Sequence, residues 1–115
     1  MTITVTVPFA HPDRVPIFAE EHDEIDFRVD GERAARCTLS FAAMELSRHL
    51  VRSVAGATVA FAAPGADATA DATVALGIEG RGRPAGSFTI LPRGSGVAIL
   101  GEDRVGVLYG AYELL

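Results

Sequence analysis

The closing stretch from Val97 to Leu115, VAILGEDRVGVLYGAYELL, constrains the fold more than any other part of the chain. Residues 97–100 are a short apolar run between Gly96 and Gly101, the pattern of a buried strand. Asp103 is placed to accept the free amide hydrogens of a following helix as its N-cap. Val105, Leu108, Tyr112 and Leu115 then recur at steps of three and four, the period of one helix face. Val107, Ala111 and Leu114 fall on other faces, so the helix is apolar around most of its circumference and belongs in an interior. Gly106 and Gly110 each weaken a helix relative to alanine. Four apart, they are read as a line along which another backbone approaches closely.

A chain of 115 residues is one domain, able to bury roughly two-thirds of the surface its unfolded form exposes. With 49% apolar and 22% charged residues it is globular, not a disordered tail. The net charge of -5 argues against a phosphate-binding surface, which needs clustered Lys and Arg, so no nucleic-acid partner is expected. Cys37 is the single cysteine, which excludes an internal disulfide. With no positioned base in evidence it is read as a small buried thiol and not a nucleophile. The opening residues MTITVTV have neither the basic start nor the apolar centre of a signal peptide. No run reaches the roughly 20 apolar residues of a membrane span, so no membrane partner is expected and the compartment is left open.

Taken in order, the chain starts with a half-buried strand over residues 2–7, with Ile3, Val5 and Val7 on one face. Residues 26–29 predict a second strand, turning at Asp30-Gly31 into a return arm over residues 33–39. Thr38 or Ser40 then caps a helix running to about Val54. Its apolar stripe is Leu39, Ala42, Ala43, Leu46, Leu50 and Val54, with Glu45, Arg48 and Arg52 facing water and Gly56 as the left-handed stop. Thr58–Ala62 and residues 73–78 predict strands on either side of a loop rich in small residues at 64–71. Residues 87–91 and 97–100 predict a hairpin around 92–96.

Each chemical motif has a plainer reading beside it. Residues 20–26 carry five carboxylates, with His11 and His22 near enough in sequence to suggest a divalent cation. The spacing matches no metal loop, and a solvated acidic surface is the preferred reading. Glu45 and His49 are four apart as in a zinc-binding H-E-x-x-H helix. The first histidine of that motif is missing, which excludes zinc. The glycine-rich segment 77–86 invites a phosphate-loop reading, which fails because Pro84 and a strand follow instead of a helix. Arg81 and Arg83 within it remain able to touch an acidic sugar or a partner domain. No Ser/His/Asp order and no paired-acid spacing is present. No catalytic, cofactor-binding or metal residue is assigned, and no cofactor is expected.

Two blocks of sequence carry a resemblance. Residues 104–115, RVGVLYGAYELL, resemble the end of the small N-terminal domain of bacterial α-glucuronidases, with β-hexosaminidases and related glycoside hydrolases further off. In that family a segment of the form R-G-x-L-Y-G-x-x-x-L-L leads into the catalytic barrel. Leu108, Tyr109, Gly110, Leu114 and Leu115 match it in register, and Arg104 stands one position further from them than the family's arginine. Residues 42–50, AAMELSRHL, followed by Gly56, resemble the first helix of the same domain. The likeness covers roughly residues 38–115. It implies a non-catalytic accessory domain whose parent enzyme carries its catalytic carboxylates in a barrel outside this chain.

These readings predict an α+β fold, a two-layer sandwich of one mixed β-sheet of about five strands with two helices on one face. The functional expectation is a single domain, residues 1–115, forming the N-terminal part of a larger glycoside hydrolase and supporting its barrel. The alternative is a free-standing carbohydrate-binding module. Such modules present exposed aromatic platforms, whereas this chain has no Trp, two Tyr and six Phe. The expected partners are the barrel of the same polypeptide or a second copy, through residues 104–115.

Overall fold

The computed structural model describes residues 1–65 and 70–115. Five strands form one mixed sheet: β1 (Thr2–Thr6), β2 (Thr58–Ala62), β3 (Ala72–Ile78), β4 (Phe88–Arg93) and β5 (Gly96–Gly101). Their order across the sheet is β2-β1-β3-β5-β4. β1 is parallel to both β2 and β3, β3 is parallel to β5, and β4 alone runs antiparallel, against β5. Two long helices, α2 (Gly31–Ser53) and α3 (Arg104–Leu114), accompany a four-residue helix, α1 (Val15–Phe18). The α+β expectation holds, with α1 as an addition.

One core joins the layers. Val5, Val7, Val74, Leu76 and Ile99 of the sheet side meet Leu39, Ala42, Ala43 and Leu46 of α2, and Val107 and Ala111 of α3. The stripe predicted for α2 is therefore the buried one, and Gly56 beyond its end has the expected positive φ of 73°. β1 differs from its half-buried reading, because Thr4 and Thr6 are buried as well as Ile3 and Val5. The strand lies between β2 and β3, so both of its edges are paired.

The hairpin is tighter than predicted. Arg93 pairs with Gly96, leaving only Gly94 and Ser95 in the turn. Gly94 has φ 56°, the conformation a two-residue hairpin asks of its first central position. Pro92 belongs to β4, an edge strand, where the missing amide hydrogen is tolerated. At the start of β5, beside this turn, a Cβ on Gly96 would fall on the Thr73 carbonyl oxygen of β3. The loop at 64–71 is described only in part, since residues 66–69 lie outside the described residues.

The predicted strand over 26–29 and its return arm over 33–39 are not formed. Residues 27–29 are a turn, and α2 begins at Gly31. Asp30 caps it: the Arg33 amide donates to Asp30 Oδ1 at 3.1 Å. Aspartate before glycine is a hairpin signal and an equally good helix start. Burial decides between them, since Ala34, Cys37, Leu39, Ser40, Ala42, Ala43 and Leu46 form one buried face along α2. Thr38 and Ser40 are therefore interior residues of the helix and not caps.

α3 meets the sheet along the glycine line read from the sequence. Gly106, Val107, Gly110 and Ala111 are its buried residues, while Tyr109, Tyr112 and Leu115 are exposed. A Cβ at Gly106 would strike the Ser87 carbonyl oxygen, and one at Gly110 would strike Ile99 and crowd the Phe88 ring. The glycines let the helix sink onto β4 and β5, which sends the larger side chains outward. Asp103 caps the helix as predicted, accepting from the Gly106 amide at 2.8 Å. Its second oxygen accepts from the Gly86 amide at 3.2 Å and holds the preceding loop.

Candidate functional site

Two features of the surface stand out. The first is the outward side of α3 and the adjoining part of α2. Tyr109 is 53% exposed, Tyr112 48%, Leu115 45% and Phe41 41%. Leu108 lies between the helices, where it lines a shallow apolar hollow of about 320 Å³ with Phe27, Cys37, Thr38 and Phe41. Arg104 closes one rim, donating to Thr38 Oγ1 at 3.1 Å and lying 5.0 Å from the centre of the Phe27 ring. Cys37 is buried with its sulfur 3.9 Å from the Ala19 carbonyl oxygen. Burial pushes its thiol upward, with the Glu21 carboxylate adding to the effect. Its burial agrees with the sequence reading of a small buried thiol.

The second feature is a crevice of about 630 Å³ beyond the carboxyl ends of β1 and β3. Its floor comes from Phe9, Leu39 and Ile78, and its rim from His11, Glu32, Arg33 and Arg36. The chain leaves β1 toward β2 on one side and returns to β3 on the other, so the crevice sits where the strand order reverses. Open sheets with parallel strands offer ligand sites at this position. His11 has φ 62°, the one positive φ outside glycine among the described residues. Arg33 and Arg36 are held by a single carboxylate: Arg33 Nη2 lies 2.7 Å from Glu21 Oε2, and Arg36 Nη2 lies 3.2 Å from Glu21 Oε1. Arg36 also lies over the Phe18 ring, 3.8 Å from its centre. The Glu21 hydrogen bond raises the Arg33 pKa.

The acidic segment is therefore divided in its use. Glu21 is turned inward as the clamp between two arginines, while His22 and Asp23 point to solvent. No group of three His, Cys, Asp or Glu side chains able to hold a metal is found among the described residues. Glu45 is half-buried and not fully in water as predicted, pairing with Arg48 at 3.2 Å and lying 3.9 Å from His49. Arg81 lies 3.5 Å from Glu79. The Arg83 backbone donates to Glu102 and its side chain to Thr89 Oγ1, so both arginines of the glycine-rich loop turn to their own chain. No described helix is long and apolar enough to cross a membrane. Sequence reasoning assigned no role to Arg33 or Arg36. Their link to Glu21 spans 12 and 15 positions and crosses a segment misread as a hairpin.

No protein-family model matches the chain, and no curated protein matches it. Among solved structures, it is similar to a GH138 enzyme targeting pectin rhamnogalacturonan II. The match has a TM-score of 0.57 at 16% identity and covers 99% of this chain and 10% of that one. At that identity the likeness establishes the fold. The chain folds like a small portion of a glycoside hydrolase and spans a tenth of that protein's length.

Proposed function

We infer that this chain is a non-catalytic domain of a larger glycoside hydrolase, packed against the catalytic barrel through the outward face of α3. The observation that carries this reading is the exposed row of Tyr109, Tyr112 and Leu115 beside Phe41 on two ordered helices. Exposed apolar surface of this kind is the mark of a contact with another folded unit. The fold likeness to a small part of a GH138 enzyme supports the glycoside hydrolase class. The finer assignment, an N-terminal domain of the bacterial α-glucuronidase type acting in xylan-type polysaccharide breakdown, rests on the L-Y-G-x-x-x-L-L pattern at Leu108–Leu115 and on the A-A-x-E-L pattern of α2. In this reading the domain supports the barrel mechanically, and the 115-residue chain alone hydrolyses no aryl glycoside.

The test compares amide hydrogen exchange over residues 104–115 in the isolated chain and in the longer polypeptide specified by the surrounding coding sequence. Strong added protection of α3 in the longer protein is the expected outcome. A coding sequence with no glycoside hydrolase barrel attached would overturn the reading, as would unchanged exchange at α3.

A further inference from the structure

We propose that the crevice beyond β1 and β3 binds a neutral, polyhydroxylated ligand of monosaccharide size. This goes beyond the docking role of α3 and rests on different residues. The volume of about 630 Å³ falls within the range of small-molecule sites, roughly 300–1,000 Å³. The position is the reversal point of the strand order, where loops after two parallel strands diverge and leave space.

The lining selects the ligand chemistry. Phe9, Leu39 and Ile78 provide an apolar floor for carbon-bound hydrogens. Around it, Arg33 and Arg36 offer only donors, Glu32 offers only acceptors, and His11 can serve as either. A hydroxyl is both donor and acceptor, so a polyol satisfies every rim group. The charges argue against an anion. The two guanidinium groups are already engaged by Glu21, and Glu32 adds a second carboxylate beside them. With two guanidinium groups set against the carboxylates of Glu21 and Glu32, the crevice has no net positive charge to hold a phosphate or carboxylate. A purely apolar ligand would strip water from four polar side chains with nothing in return.

His11 is held in the left-handed region at the lip of the crevice. A glycine there adopts the same backbone without strain, which provides a variant that removes the imidazole and spares the fold. Glu32 is exposed, so its conversion to glutamine is equally mild.

The experiment titrates the 115-residue protein with D-xylose and D-galactose, and with D-glucuronate as the charged counterpart, following amide chemical shifts. Saturable shifts at Phe9, Ala10, His11 and residues 32–36 are expected with a neutral sugar, with a dissociation constant on the order of a millimolar. Glu32→Gln and His11→Gly should each weaken that binding about tenfold or more. Three results would overturn the proposal: no saturable shift in the crevice, binding of glucuronate in preference to both neutral sugars, or undiminished affinity in both variants. Shifts confined to α3 would overturn it too, while leaving the docking role untouched.

Discussion

Gly110 of α3 lies directly over Ile99 of β5, so close that a single added carbon would overlap the isoleucine's Cγ2. Gly106, one turn earlier, stands in the same relation to the Ser87 carbonyl. Glycine is a poor helix former, and its presence at both positions is explained by what it allows the neighbouring element to do.

Gly110→Leu should therefore lower stability by roughly 1–3 kcal/mol through overpacking. Its neighbours there are side chains that can shift. At Gly106 the obstacle is backbone, so even Gly106→Ala is expected to be destabilising. Urea unfolding decides the matter, because at an open helical site both substitutions would stabilise.

Ser40 supplies a second test. It is fully buried in α2, and its hydroxyl has no hydrogen-bond partner. Ser40→Ala removes an unsatisfied polar group and improves helix propensity, so a gain of about 1 kcal/mol is expected. Had Ser40 been the cap suggested by the sequence, the same change would cost about 1 kcal/mol. The sign of the measured difference separates the two roles.

Cys37 predicts a pH dependence. Burial, followed by Glu21, raises its thiol pKa in the folded state. The unfolded chain then releases the thiol proton first as pH rises, and the folded chain holds it longer. Stability from this group is complete below the ordinary thiol pKa and declines as pH climbs through the alkaline range toward the folded value. Urea midpoints of the protein and of Cys37→Ala, compared from neutral to alkaline pH, should show the wild-type protein losing ground. A constant difference between them would remove the argument.

The exposed row on α3 predicts self-association when the chain stands alone. Sedimentation equilibrium should show mass increasing with concentration, as expected of a symmetric dimer through residues 104–115. A Tyr109→Ser, Tyr112→Ser double variant should shift the protein toward monomer, with little loss of stability, since both side chains are largely in water. A strictly monomeric wild-type protein with fully protected α3 amides would contradict the role assigned to this face.

Local chemistry was enough to read the five strands, the Asp103 cap, the apolar stripe of α2 and the glycine stop at Gly56. Each of these depends on residues within a few positions of one another, where backbone preference and periodicity act directly. Asp30-Gly31 was not decided locally, because a tight turn and a helix start ask for the same two residues. Only the packing of Ala34, Cys37 and Leu39 against the rest of the core selects the helix. The glycine line of α3, and with it the outward side that carries Tyr112 and Leu115, was legible as well. Periodicity shows that a helix has faces, and the fit of Gly106 and Gly110 against Ser87 and Ile99 sets which face goes down. The crevice is the clearest case of a feature that was not legible. It joins the loop after β1, the last residue of β3 and the first turns of α2, brought together by the parallel pairing of β1 with β3. Long-range pairing of this kind is set by burial summed over the whole sheet, which leaves no mark at any one position.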